Sequence, residues 1–139
     1  MSAQQTQELK IAFPVDVPTW DPTAVTFPAG QSIYKAVFDS PMFVNDDLQA
    51  GPRLIESYRW LDDTGTRLEL KLRGDVFFHD GSKMSAEDIK FTFDRARGTK
   101  TLALNGMMPT VSAVEVVDAN TAVMTFSKPT PTAAKYLSF

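Results

Sequence analysis

The chain has 139 residues, a net charge of −3 and no cysteine, and 43% of its residues are hydrophobic. This size and composition suit one modest globular domain and argue against disorder along the whole chain. The acidic balance, without any basic stripe, argues against nucleic acid as a partner, and the lack of cysteine excludes disulfides and thiolate chemistry. No apolar stretch approaches the roughly 20 residues that a membrane-spanning helix needs.

The polar start predicts a disordered tail over residues 1–8, ahead of a folded unit over residues 9–139. The tail has neither the charged segment nor the apolar segment of a secretion signal, so we expect that any signal has been removed. Residues 9–13 alternate enough to predict a short strand. Four prolines between residues 14 and 28 then favour an extended, irregular stretch.

Two short elements are predicted next. Residues 31–38 are expected to form a helix that carries three apolar side chains on one side: Ile33, Val37 and Phe38. From residue 67 to residue 73, leucines alternate with charged residues, which is the period of a half-buried strand.

A second strand is predicted over residues 76–79, ending at Asp80-Gly81, where glycine accepts the positive φ of a tight turn. Ser85 stands three residues before Asp88, which is the spacing of a capping box with Asp in place of the usual Glu. Behind this cap, apolar residues recur at helical spacing and a glycine supplies the stop: Ile89, Phe93, Ala96 and Gly98.

The C-terminal third predicts a hairpin, with strands at residues 113–117 and 121–126 joined across residues 118–120. A last helix is expected to start near Thr132, after two prolines. These elements define an α+β fold: a small mixed or antiparallel sheet with short strands, a hairpin near the C-terminus and two to four helices.

His79, the single histidine, precedes Asp80 and raises the question of an acid–base or metal pair. Catalysis would need a nucleophile or second acid, and a metal would need further ligands at compatible spacing. The sequence offers neither, so we interpret His79 as part of a turn. Asp62-Asp63 with Gly65 resembles part of a calcium loop, but the other ligands are missing, and a turn between strands explains it better.

Several apolar residues could serve either packing or binding. Trp20 could be an exposed stacking platform, but a buried Trp that anchors an irregular segment is the preferred interpretation. A methionine pair and two phenylalanine pairs are assigned, for the same reason of composition, to the core or to contacts between subdomains: Met107 and Met108, Phe77 and Phe78, and Phe91 and Phe93.

One stretch of the sequence can also be compared with known family signatures. Residues 70–81 read LKLRGDVFFHDG, and residues 85–89 read SAEDI. This run resembles the signature of the extracytoplasmic solute-binding proteins of ABC importers, in the large group that handles peptides, nickel and related solutes. There the pattern is approximately LR-x-G-V-x-F-H-D-G, a spacer, and T/S-A-E-D-V. The chain departs from it at Asp75 and in the spacer at residues 82–84.

Other stretches resemble the same family in the same order. The family usually has an aliphatic residue before Asp-Pro, where this chain has Trp20. Residues 33–39 look like the family's helix ending in YEGL, and residues 51–63 look like its P-x-LA-x-SW-x-x-x-DD. Residues 114–129 resemble its hairpin, V-x-x-V-D-x-x-T-V, running on to K-x-P. The resemblance covers residues 9–137.

The resemblance implies a fragment of a two-lobed periplasmic-binding-protein fold, because family members are much longer and the chain matches only the amino-terminal part of the first lobe. It implies a non-enzymatic, cofactor-free protein, periplasmic or otherwise extracytoplasmic, whose partners would be a small-molecule or peptide solute and an ABC permease. A structural subdomain without its own ligand remains an alternative. An isolated fragment is also expected to self-associate through exposed apolar edges.

In the resembling family, two segments run beside the ligand cleft, and they correspond here to residues 25–31 and 102–108. The ligand-contacting candidates within them are Thr26, Phe27, Pro28, Ala29, Gly30, Leu104 and Met107. The alternative, that Phe27 and Met107 pack internally, stays open. Catalytic and metal-binding residues are not expected.

Overall fold

The computed structural model describes residues 9–138, and this part of the chain forms two antiparallel sheets and four helices. The strands are β1 (Met42–Val44), β2 (Ala50–Pro52), β3 (Ile55–Trp60), β4 (Arg67–Leu72), β5 (Val111–Asp118) and β6 (Thr121–Phe126). The helices are α1 (Pro28–Tyr34), α2 (Ala86–Gly98), α3 (Ala103–Met107) and α4 (Ala133–Tyr136). The α+β prediction is confirmed. The tail predicted at residues 1–8 lies outside the described residues.

The main sheet has the strand order β3-β4-β6-β5. The alternation predicted for residues 67–73 is confirmed, because the three leucines of β4 are buried while Arg67 and Lys71 face solvent. Strand β6 is buried almost throughout and pairs with β4, with Leu70 opposite Ala122. One face of the sheet and the apolar side of α2 form a continuous core, whose largest members include Ile55, Leu68, Leu70, Ile89, Phe93, Met124 and Phe126.

Helix α2 begins where the capping box is predicted. The Asp88 carboxylate accepts hydrogen bonds from the Ser85 main-chain nitrogen at 2.8 Å and from its hydroxyl at 3.2 Å. The carboxylate also lies in the first turn, where the helix dipole favours negative charge. The Asp80-Gly81 turn is confirmed as well, since Gly81 has φ +85° and its nitrogen donates to the Phe78 carbonyl at 2.9 Å.

The predicted C-terminal hairpin is confirmed as β5 and β6. Its turn is fixed by Asp118, whose carboxylate accepts from the Asn120 nitrogen and from the Thr121 hydroxyl, each at 2.8 Å. The last helix is confirmed too, with Thr132 as the N-cap residue of α4.

The β1–β2 ribbon lies outside the elements predicted from the sequence and is joined to the C-terminal helical segment and to the main sheet. The Met42 nitrogen donates to the Leu137 carbonyl at 2.9 Å, and the Ile55 nitrogen donates to the Pro41 carbonyl at 2.8 Å. Met42 and Leu137 are fully buried, so α4 closes over the ribbon. In the connecting loop, Leu48 has a φ of 58°, a left-handed conformation that is unusual for a bulky residue.

Three predicted elements differ from the structure. Residues 9–13 form no strand: none of the described strands pairs with them, and Leu9 and Ile11 are exposed. The strand predicted at 76–79 is reduced to a single bridge between Phe77 and Lys83, because the turn at Gly81 leaves too few residues for a ladder. The predicted helix at 31–38 starts earlier, at a proline suited to a first turn, and ends at residue 34.

The buried faces also differ from prediction in places. Helix α1 buries Gly30 and Tyr34, whereas Val37 and Phe38, predicted for its packed side, are exposed. Trp20 is 60% exposed, so its assignment to the core is wrong. Of the residues assigned to packing, Phe93 and Met108 are buried and Met107 packs against the core, but three are exposed: Phe77, Phe78 and Phe91.

Candidate ligand-binding site

The first predicted segment forms the start of α1. Pro28 occupies the first helical turn and Phe27 is its extended N-cap residue. The Phe27 ring lies directly over Gly30, where any side chain would collide with it. Ahead of the helix, the Gln31 side-chain amide donates to the Val25 carbonyl at 3.0 Å, which closes the segment into a compact unit.

The second segment forms α3, which carries Leu104 and Met107. The Leu104 nitrogen donates to the Thr23 carbonyl at 3.1 Å, so α3 is attached to the chain three residues before Thr26. Asn105 attaches α3 to α2, because its side-chain amide donates to the Ala96 carbonyl at 2.9 Å. The bond therefore attaches α3 to the chain just ahead of the first predicted segment, residues 25–31.

An ion pair attaches the same N-terminal stretch to α2. Arg95 on α2 pairs with the carboxylate of Asp21, which also accepts hydrogen bonds from the Thr23 nitrogen at 3.0 Å and the Thr23 hydroxyl at 2.7 Å. The hydrogen bond from Arg95, together with the bonds from Thr23, lowers the pKa of Asp21 to about 2 against a smaller opposing effect of burial. The Asp21 carboxylate is therefore ionised at neutral pH. In the same stretch, the Tyr34 hydroxyl donates a hydrogen bond to the Thr19 carbonyl at 2.7 Å.

A cavity of about 150 Å³ lies between α2, α3 and β5. Leu104 and Asn105 line it on one side and Phe93 and Arg97 on the other. This volume admits a small group or a few water molecules rather than a whole peptide. A wider, open depression of about 560 Å³ lies elsewhere, at the charged surface near Arg73 and Asp75, and contains none of the predicted contact residues.

The seven predicted contact residues fall into three groups by exposure. Thr26 and Pro28 are exposed; Phe27, Ala29 and Met107 are half-buried; Gly30 and Leu104 are buried. Their contact with a solute stays a prediction. The sequence-based interpretation missed the residues that position them, chiefly Asp21, Thr23 and Arg95. The Asp-Pro after Trp20 was the available signal, because Asp before Pro in an irregular segment often accepts main-chain bonds.

The acidic residues considered as metal ligands are used in turns. Asp80 accepts from the Ser82 nitrogen at 2.8 Å, and Asp62 accepts from the Thr66 nitrogen at 3.0 Å in the β3–β4 turn. His79 is exposed. Within residues 9–138, we find no group of three or more histidine or acidic side chains arranged to hold a metal ion. In the same part of the chain, no helix is long and apolar enough to cross a bilayer.

Comparison with known proteins defines the class: residues 49–139 match the model of the bacterial extracellular solute-binding proteins, family 5, middle region. The match covers most of the chain. The chain therefore belongs to the family 5 extracellular solute-binding proteins, as the run at residues 70–81 predicted. Because this family binds solutes and is not enzymatic, the prediction of a non-enzymatic protein is confirmed.

Individual proteins are similar to this chain in sequence or in fold. The glutathione-binding protein GsiB of Escherichia coli is 25% identical over 124 residues, covering 88% of this chain and 24% of that protein. MoaA of A. tumefaciens R10, solved with mannopinic acid, aligns with a TM-score of 0.78 and 27% identity over 88% of this chain and 26% of its own. NikA of Brucella suis, solved with Fe(III)-EDTA, aligns with a TM-score of 0.80 and 24% identity over 92% of this chain and 26% of its own.

The chain spans about a quarter of the length of these relatives. The predicted relation to a part of the periplasmic-binding-protein fold is confirmed by these alignments.

Proposed function

We propose that this chain acts as part of the substrate-binding component of an ABC importer, which captures a small solute outside the cytoplasmic membrane and delivers it to a permease. Membership of an extracellular solute-binding family supports the capture role and an extracytoplasmic, in particular periplasmic, location. The observation that supports the proposal is the bond between Leu104, in the second predicted contact segment, and Thr23, which stands just ahead of the first one.

The solute is proposed to be a peptide or a similar small polar molecule. One relative is named for glutathione and another is described with mannopinic acid, which supports this class without selecting a member. The candidate site favours a solute that has both apolar and polar groups. Pro28 presents an exposed apolar surface, and Thr26 presents an exposed hydroxyl that can donate and accept hydrogen bonds.

In our proposal, the remaining candidate residues position this surface rather than form it. Phe27 covers Gly30 and so fixes the direction of the α1 N-terminus, which places Pro28. Leu104 faces the small cavity and Met107 packs against the core, so both set the position of α3. A solute would then contact Thr26, Pro28 and Ala29 first and reach Leu104 only through the cavity.

The second candidate function is a structural subdomain that packs and docks without its own ligand. The burial of Gly30 and Leu104 favours it, because buried residues cannot contact a solute unless the surface opens. A neighbouring part of a longer protein would then supply the binding groups. Both functions place the chain within a solute-binding protein, and they differ in whether these residues touch the solute.

Isothermal titration separates the two functions. A panel of peptides and small polar solutes is titrated against this chain and against a longer protein that contains it. We expect Thr26→Ala in the longer protein to weaken solute binding about three- to tenfold, which is the loss expected for one hydrogen bond. Thr64→Ala, in the exposed β3–β4 turn, is the matched control. Unchanged affinity in the Thr26 variant would support the structural function instead.

A further inference from the structure

Asn105 and Gly106 form an Asn-Gly sequence within α3. Main-chain attack on an asparagine side chain is least hindered when the next residue lacks a side chain, as glycine does. The chain has two other asparagines, Asn45 and Asn120, which precede Asp46 and Thr121. From the structure we infer that Asn105 is a site of spontaneous deamidation, and that the reaction breaks the attachment of α3 to α2.

The reaction needs no enzyme and no redox partner. The deprotonated Gly106 nitrogen attacks the Asn105 side-chain carbonyl carbon, a C–N bond forms, and the side-chain nitrogen leaves as ammonia. Water then opens the resulting five-membered succinimide at one of its two carbonyls. The products are aspartate and isoaspartate, so one water is consumed, one ammonia is released and one negative charge appears at neutral pH.

The local structure makes this attack depend on opening of α3. In the closed state the Asn105 amide donates to the carbonyls of Ala96, at 2.9 Å, and of Arg97, at 3.4 Å. Helix α3 has only five residues and no side-chain N-cap bond, so it is held by packing and by a few hydrogen bonds. Short elements of this kind open locally at low free-energy cost.

The product cannot restore the lost contacts. Ala96 and Arg97 lie in the last turn of α2, where main-chain carbonyls carry the negative end of the helix dipole; the Ala96 carbonyl also accepts a bond from the Thr99 nitrogen at 3.3 Å. The neutral amide satisfies these carbonyls by donating, whereas a carboxylate only accepts and is repelled by them. Arg97 lines the same cavity, but its guanidinium already pairs with Asp94 at 2.9 Å.

Gly106 provides a matched control. Apart from its chain neighbours and the backbone of α3, no described atom lies within 4 Å of the position that a Cβ would occupy there, and its φ is not in the left-handed region. Gly106→Ala should therefore fold normally while the added methyl group hinders the attack. The exposed Asn45 and the turn residue Asn120 serve as internal comparisons in the same sample.

The experiment follows the purified chain by mass spectrometry and peptide mapping during incubation at neutral and mildly alkaline pH. We expect a gain of one mass unit at Asn105, faster at higher pH, and slowed about tenfold or more in Gly106→Ala. Isomerisation at Asp80-Gly81 adds no mass and is thereby distinguished. No gain at Asn105, or a faster gain at Asn45 or Asn120, would overturn the assignment.

The loss of attachment between α3 and α2 is tested by thermal melting. Asn105→Asp and the deamidated wild-type fraction should each melt roughly 3–8 °C below the unreacted chain, because a part-buried hydrogen bond is lost and a carboxylate faces carbonyls. Asn105→Ser, which keeps a short neutral donor, should melt closer to wild type. Equal melting of reacted and unreacted protein would refute the loss of attachment even if the mass gain occurs, and neither readout depends on which solute the protein binds.

Discussion

Arg95 on α2 pairs with Asp21, which stands 74 residues earlier in the chain and outside any helix or strand. Asp21 accepts two further bonds from Thr23, whose carbonyl in turn holds Leu104. A single carboxylate thus links the irregular N-terminal stretch to α2 and, through one residue, to α3. Because the described residues before α1 form no helix or strand, this ion pair and its neighbouring bonds hold that stretch against the rest of the fold.

The Asp21–Arg95 pair should make stability depend on pH in the acid range. The pKa of Asp21 is lowered from 3.8 to about 2, so the pair stabilises the fold fully above about pH 4 and loses its contribution as the pH falls towards 2. We expect Asp21→Asn to cost about 1 kcal/mol at neutral pH, since both side chains are partly exposed and solvent screens them.

The measurement is the free energy of unfolding by urea at several pH values. The gap between wild type and Asp21→Asn should narrow steadily below about pH 4. Asp63→Asn, at an exposed aspartate in the β3–β4 turn, controls for the general loss of a carboxylate. A gap that persists unchanged in acid would show that the contribution of Asp21 is not the ionised pair.

The capping box at Ser85 should contribute measurably to stability. Ser85→Ala removes the hydroxyl that bonds to the Asp88 carboxylate, so we expect a loss of about 1 kcal/mol without a change in solute choice. Ser85→Thr retains a hydroxyl and is the control. The readout is the chemical denaturation midpoint, and a neutral midpoint for the alanine variant would mean that α2 does not rely on this cap.

His79→Ala should leave both stability and solute affinity unchanged. The side chain is exposed, and the turn after it is held by Asp80, Ser82 and the positive φ of Gly81. Titration calorimetry on the longer protein and circular dichroism of the variant test this directly. An affinity about tenfold weaker with the fold intact would give His79 a binding role.

Leu48 should be replaceable with a gain in stability. Its φ of 58° places a bulky side chain in the left-handed region, and 69% of the residue is exposed, so little packing offsets the cost. Leu48→Gly is expected to stabilise the fold by about 0.5–1 kcal/mol.

Gly65, with φ +67° and open space around it, gives the reverse control, since Gly65→Ala should destabilise the fold. Urea denaturation of the two variants beside wild type provides the comparison. If Leu48→Gly destabilises the fold, the Leu48 side chain makes a contribution that its exposure does not reveal.

The chain should self-associate at micromolar or higher concentration. Leu9, Ile11 and Phe13 are exposed on an extended stretch that pairs with no described strand. Exposed apolar side chains on an extended stretch favour contact between molecules. Sedimentation velocity should show concentration-dependent association that Leu9→Ser with Ile11→Ser reduces, whereas Phe91→Ser on the α2 surface does not. A monomer at all concentrations would contradict this expectation.

Local patterns predicted the elements whose signals are local. The alternation of β4, the cap at Ser85 and the turn at Asp118 each depend on neighbours within a few residues, and each is confirmed. The strand predicted at residues 9–13 is absent for the opposite reason, because a strand forms only when another strand pairs with it. The β1–β2 ribbon and α3 gave no prediction, since three- and five-residue elements carry too little periodicity.

The candidate site was less accessible to prediction because its geometry is set by long-range contacts. The family resemblance predicted two contact segments, which stay a prediction, but the sequence contained no sign that Leu104 bonds to Thr23 or that Asn105 bonds to α2. The Trp20 error has a similar origin. Hydrophobicity favours burial of a Trp, but an irregular proline-rich stretch does not supply the surrounding side chains that burial needs.

The pairing of Leu70 with Ala122 has a consequence for the order of folding. During synthesis β4 can pair with β3 at once, but its other edge has no partner until α2, α3 and β5 have all been made. Closing so long a loop is entropically costly and slow. An incomplete chain therefore exposes an apolar strand edge for the whole of that interval. The nascent protein is most vulnerable to wrong pairing there, and cooperative closure can begin only when β6 emerges.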